Sequence, residues 1–199
     1  MTRIFPTLAF FSLAVFAAAL VMGLMIGDLY DQPDQATRWL KGVHLLTGAA
    51  AAIAVVFVHS IAITYFVGTS RWVKEVSETY RLDPAPLIRC TVLKRRTFPW
   101  CVLGMLTVVV IGALGAASDP GTGRPDTASM ASVHLASVLV GLSLVCWTYF
   151  RVWLNIGENQ GIIEEVLAMV QAVRQERGLD LYPESEELSA KESSELAKN

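Results

Sequence analysis

Three histidines, His44, His59 and His134, lie inside long apolar stretches of this chain and are the side chains best placed to do chemistry. His44 and His134 share a setting: Val43-His44-Leu45-Leu46-Thr47 and Val133-His134-Leu135-Ala136-Ser137. In each, a hydroxyl follows three residues on, hence on the same face of a helix. A neutral imidazole in apolar surroundings is costly unless its nitrogens find partners. Polar groups at such depth are therefore candidates for function. Two imidazoles at equal depth on neighbouring helices can ligate one metal ion from opposite sides. They can equally hydrogen-bond to one another, to Thr47 or Ser137, or to interfacial water. His59 follows His44 by 15 residues, which on a helix is about 60° around and roughly 22 Å along the axis. It belongs to the other half of any bundle and has no evident second ligand.

The outer pair, with small residues such as Gly48 and Gly141 beside it to make room for a flat macrocycle, resembles the bis-histidine arrangement of membrane b-type cytochromes. The resemblance covers these two short segments. It implies a haem b with His44 and His134 as axial ligands of its iron, and electron transfer to a quinone or a partner protein. Met22 and Met25 are read as gap-filling apolar residues rather than ligands. Both histidine segments also reach a Thr-Tyr-Phe, at Thr64-Tyr65-Phe66 and Thr148-Tyr149-Phe150, which suggests a duplicated two-helix unit. Levelled on those triplets, the two histidines would stand roughly 9 Å apart in height, too far to share one iron. Levelled on their distance into the spans, they would be at equal depth.

The elements that must position these residues are marked by the absence of charge. No Asp, Glu, Lys or Arg falls between Arg3 and Asp28, Lys41 and Arg71, Arg96 and Asp119, or Asp126 and Arg151, and each gap is at least 22 residues long. About 20 residues of helix cross a hydrocarbon core, and only helices or closed barrels satisfy their backbone there. The expected fold is an all-α integral membrane four-helix bundle occupying residues 1–155, with spans near 5–27, 42–67, 98–117 and 131–154. Gly23 and Gly27, Gly112 and Ala116, and the run from Gly48 to Ala52 offer small-residue faces for close packing.

Basic residues set the orientation. The loop 68–97 holds Arg71, Lys74, Arg81, Arg89, Lys94, Arg95 and Arg96, against Arg38, Lys41 and Arg124 in the two other loops. The positive-inside rule puts both termini and this loop in the cytoplasm of a cell-membrane protein. Trp72, Trp100, Trp147 and Trp153 fall at that inner boundary. Within the loop, Ser70 is expected to cap a short helix to about Tyr80, and Pro84 and Pro86 to open a second, both lying on the membrane surface. Residues 156–182 read as a cytoplasmic amphipathic helix through Ile162, Val166 and Val170, with Gly157 and Gly161 as bend points. Residues 183–199 read as a disordered acidic tail.

The composition, 53% hydrophobic and 17% charged, carries too little charge for a soluble domain of this size. The net charge of −2 says little about partners, because the charges are sorted along the chain, and no nucleic-acid partner is expected. Cys90, Cys101 and Cys146 have no metal-binding spacing and read as reduced and structural. No HExxH, GxSxG or acidic cluster appears, so the chain is not expected to be an enzyme on its own. Two functions stay open: an accessory or scaffold subunit binding another membrane protein or a second copy, and a haem b redox subunit.

Overall fold

The computed structural model describes residues 1–27, 29 and 33–179. The expected acidic tail at 183–199 lies outside the described residues. Among those described, the chain is all helical: α1 (Ile4–Met25), α2 (Gln35–Tyr80), α3 (Ala85–Ala117), a single 3-10 turn (Pro120–Thr122) and α4 (Thr127–Glu176). All four α-helices are long and apolar enough to cross a membrane; α2, α3 and α4 cover their expected spans, and α1 ends two residues short of the expected 5–27.

The bundle is apolar outside as well as inside. Phe10, Phe11, Leu46, Ile53, Val109 and Val140 are all at least half exposed. Helices that are apolar on every side need an apolar surrounding rather than water. The interior is held by Val55, Val58, Ala62 and Phe66 of α2 against Phe5 and Phe16 of α1, Val108 of α3 and Val145, Tyr149 and Val152 of α4. Close approach depends on small residues, though not all of those expected. A Cβ on Gly141 would fall 2.3 Å from Ile111 Cδ1, so this glycine seats α3 on α4 rather than making room for a ligand. Gly48 and Gly112 face open space.

Three helices continue well past any bilayer. The 46 residues of α2 measure roughly 69 Å, over twice the thickness of a hydrocarbon core. The expected surface helices within 68–97 are instead straight continuations of α2 and α3, because no residue from Ser70 to Tyr80 breaks the α2 ladder. Ser70 is buried in mid-helix and accepts a hydrogen bond from Lys94 Nζ (3.2 Å). The real turn is four residues, Arg81 to Pro84. Arg81 closes α2 in the left-handed conformation (φ 56°), Leu82 N–H donates to Ser77 O (3.0 Å), and Asp83 accepts from Ala85 N–H (2.9 Å).

The expected amphipathic helix is likewise part of α4, which runs unbroken through Gly157 and Gly161 to Glu176. Its apolar stripe is covered by the α2–α3 hairpin. Ile162 and Val166 join the cluster containing Val73, Cys90 and Leu93. Asn159 donates to Tyr65 Oη (3.0 Å) and Thr69 Oγ1 (3.1 Å) and accepts from Cys90 Sγ (3.5 Å). Arg89 pairs with Glu165 and Arg96 with Glu158 across the surface. The result is a three-helix stalk at the basic end of the bundle. At the opposite end, Lys41 of α2 pairs with Asp119 just after α3.

Candidate histidine site

The structure brings His44 and His134 together. Their ring centroids are 6.4 Å apart, with the ring planes at 74°. His44 is the tenth residue of α2 and His134 the eighth of α4, helices that run in the same direction, so they are level toward the end of the bundle remote from the stalk. Each ring rests on a glycine of the preceding helix. A Cβ on Gly23 would lie 3.0 Å from His44 Cε1, and a Cβ on Gly115 would lie 3.0 Å from His134 Cε1. Any larger residue there would displace the imidazole.

The ring nitrogens are arranged unequally. His44 Nδ1 is 2.9 Å from Ala19 O. A carbonyl only accepts, so Nδ1 carries the proton and Nε2 keeps its lone pair. This is the tautomer that a backbone-anchored ligand histidine adopts. The equivalent atom of His134, Nδ1, is buried against the backbone of Ile111, with a looser geometry than the His44–Ala19 bond. Neither Nε2 makes a hydrogen bond to any described residue. The hydroxyls expected to partner the rings go elsewhere: Thr47 donates to Met22 Sδ (3.7 Å) and Ser137 to the carbonyl of His134 itself (2.7 Å). A side-chain network through Thr47 and Ser137 is therefore not what holds this pair.

The core ends short of the histidines. The last buried residue of α1 is Ala19 and of α3 Val108, while α2 buries nothing before Ala51. In α4 only Thr127 is buried before Val138. The apolar side chains around His44 and His134 thus have no tightly packed interior of their own.

His59 lies in the other half, as expected, and it is a packed residue. It is fully buried, with Nδ1 2.9 Å from Val55 O and Nε2 3.2 Å from Thr148 Oγ1. It stacks on Tyr149 at 4.7 Å and 22°, and Tyr149 Oη bonds to Ser12 Oγ (2.9 Å). Gly104 gives the ring its space: a Cβ there would stand 2.4 Å from both Cε1 and Nε2. With both nitrogens bonded and a ring pressed on its face, His59 has no position left for a metal.

Together the two layers reveal an internal two-fold pattern. His44 and His134 are 90 residues apart, as are His59 and Tyr149; Ala19 and Ile111, Gly23 and Gly115, and Ser12 and Gly104 are each 92 apart. The α1–α2 pair therefore repeats as α3–α4, with Tyr149 at the position of His59. The register suggested by Thr64 and Thr148 is incorrect. Thr64 is exposed and bonds to Ser60 O, whereas Thr148 is buried against His59. The signal that finds the true register is the Ala19–Gly23 and Ile111–Gly115 spacing, which has meaning only once each glycine is known to seat a ring.

Among the described residues, no group of three or more His, Cys, Asp or Glu side chains converges as a metal site. No family model, curated protein or solved structure matches the chain.

Proposed function

We propose that this chain is a four-span membrane protein, with both termini and the stalk on the cytoplasmic side, in which His44 and His134 hold a haem b for one-electron transfer to a partner protein. The single observation that carries the haem is the 6.4 Å between the ring centroids. Two metal–nitrogen bonds of about 2 Å each, plus roughly 1.1 Å from each nitrogen to its ring centre, separate two opposed imidazoles by about 6.3 Å.

The donor set supports the same reading. Two histidines cannot complete a zinc or other bare-ion site, but they suffice for an iron whose remaining ligands come from a porphyrin. Ala19 O fixes the His44 tautomer, and Gly23 and Gly115 set the position of each ring. When bound, the haem supplies a reversible one-electron couple; the protein's part is to hold the two imidazoles level and to surround them with apolar side chains. The topology rests on the seven basic residues of 68–97 against three in the two other loops.

Detergent-solubilised protein should show a Soret band that shifts on reduction with dithionite. His44→Ala or His134→Ala should abolish the chromophore, and His59→Ala should retain it. A spectrum without a Soret band after expression with haem supplied would leave the accessory or scaffold reading in its place.

A further inference from the structure

A second site lies at the stalk end of the bundle. Between α2 and α3 runs a groove of about 230 Å³, lined by Ile63, Phe66, Val67, Phe98 and Cys101, with Lys94, Arg95 and Thr97 at its mouth. Pro99, inside α3, leaves the Arg95 carbonyl without the hydrogen bond that residue 99 would otherwise donate. The volume is below the roughly 300–1,000 Å³ of sites for compact small molecules. The apolar part starts at Phe98, where the span begins, and the two cations stand about one turn outside it.

The polar groups at the mouth decide the chemistry of the occupant. Thr97 is already committed: its hydroxyl donates to Leu93 O (2.8 Å) and accepts from Asn155 Nδ2 (2.9 Å). Lys94 donates to the neutral Ser70 hydroxyl, and Arg95 is exposed. Arg96 and Arg89, on the same helix, are paired with Glu158 and Glu165, so α4 already spends those two carboxylates. Among the described residues Lys94 and Arg95 have no ion pair. The site thus offers two uncompensated positive charges above an apolar slot. A quinone would need neutral hydrogen-bonding groups, and it would sit roughly 28 Å along α2 from His44.

We propose that this groove binds one anionic phospholipid, its chain along Ile63, Val67 and Phe98 and its phosphate on Lys94 and Arg95. The inference rests on the membrane reading but not on the haem. Protein reconstituted into phosphatidylcholine vesicles containing a minority of phosphatidylglycerol would be recovered by flotation, released, and its retained lipid measured by native mass spectrometry. Wild-type protein should retain phosphatidylglycerol in preference to phosphatidylcholine. Neutralising Lys94→Gln and Arg95→Gln together should lower that preference by about fivefold for each charge. Val67→Trp, on an exposed position, should displace the lipid by filling the groove with both charges kept. The paired Arg71→Gln and Lys74→Gln control, further out on α2, should leave the preference intact. An undiminished preference in the double variant would overturn the proposal. So would full retention in Val67→Trp, which would reduce the effect to headgroup attraction without a groove. Displacement of the lipid from wild-type protein by glycerol phosphate would overturn it as well. Wild-type protein that fails to float would instead overturn the membrane reading itself.

Discussion

Gly104→Ala should be strongly destabilising, because the added methyl group meets a ring that cannot yield. The new Cβ would stand 2.4 Å from two atoms of the His59 ring and 3.0 Å from Thr148 Oγ1, whereas carbon atoms at rest are about 3.5–4.0 Å apart. The ring has nowhere to go. Tyr149 backs it at 4.7 Å, and both its nitrogens are hydrogen-bonded, to Val55 O and Thr148 Oγ1. α2 and α3 must therefore separate, or the buried imidazole must give up its bonds. Overpacking of a filled core costs about 1–3 kcal/mol, and the loss of a buried hydrogen bond adds about 1 kcal/mol or more. A total near 3 kcal/mol corresponds to a fall in Tm of roughly 6–12 °C for a chain of this size. Thermal unfolding in one detergent, followed by circular dichroism or tryptophan fluorescence, reads it directly. The deciding measurement is the same substitution in a His59→Ala background, where the obstruction is gone. There Gly104→Ala should be neutral or stabilising, an interaction of about 2 kcal/mol or more. Equal costs in the two backgrounds would show that Gly104 and His59 do not touch, and the two-layer description would fail with them.

Gly23→Ala and Gly115→Ala meet their imidazoles at 3.0 Å rather than 2.4 Å, so each should cost less than Gly104→Ala, and by similar amounts, in the same thermal assay. Asn159→Ala removes the partner of Tyr65, Thr69 and Cys90 and should destabilise the stalk by about 1–3 kcal/mol, seen as faster amide exchange in 70–80 and 85–95. The Lys41 ammonium beside Asp119, with the Gly121 N–H, holds its carboxyl below the ordinary carboxylate value. That stability is fully present above the unfolded pKa and lost as pH falls from there through the lowered folded value, so the turn at Pro120–Thr122 should loosen only below about pH 4. Limited proteolysis in the 118–127 loop should report the loosening, and Asp119→Asn should abolish the pH dependence. The topology is tested by an introduced thiol at Thr79, which is exposed; Ser77, near the turn, is buried and unsuited. With Cys90, Cys101 and Cys146 replaced, Thr79→Cys should resist an impermeant reagent in intact cells.

How much of this was legible beforehand follows from which physical signals are local. Charge exclusion over 22 or more residues is local, so four apolar spans could be read directly from the order of residues, but not how far α2, α3 and α4 extend past them. The equal depth of His44 and His134 follows from the same counting, because both lie just inside spans that run the same way. Whether Ser70–Tyr80 lies flat or continues a helix is not local. Its apolar stripe fits a membrane surface or a protein partner equally well, and only packing of Val73, Cys90 and Val166 chose the stalk. The repeat was mislevelled because Thr-Tyr-Phe matches by letter while Thr64 and Thr148 face different surroundings. Residue type alone does not say which neighbour a side chain meets. That same gap separates the three histidines. The order of residues determined that each would lie within an apolar segment, but only the packed bundle decided that His59 would be buried, spend both nitrogens and lie against Tyr149. The packed bundle also brought His44 and His134 to 6.4 Å of each other, with neither Nε2 bonded to a described residue.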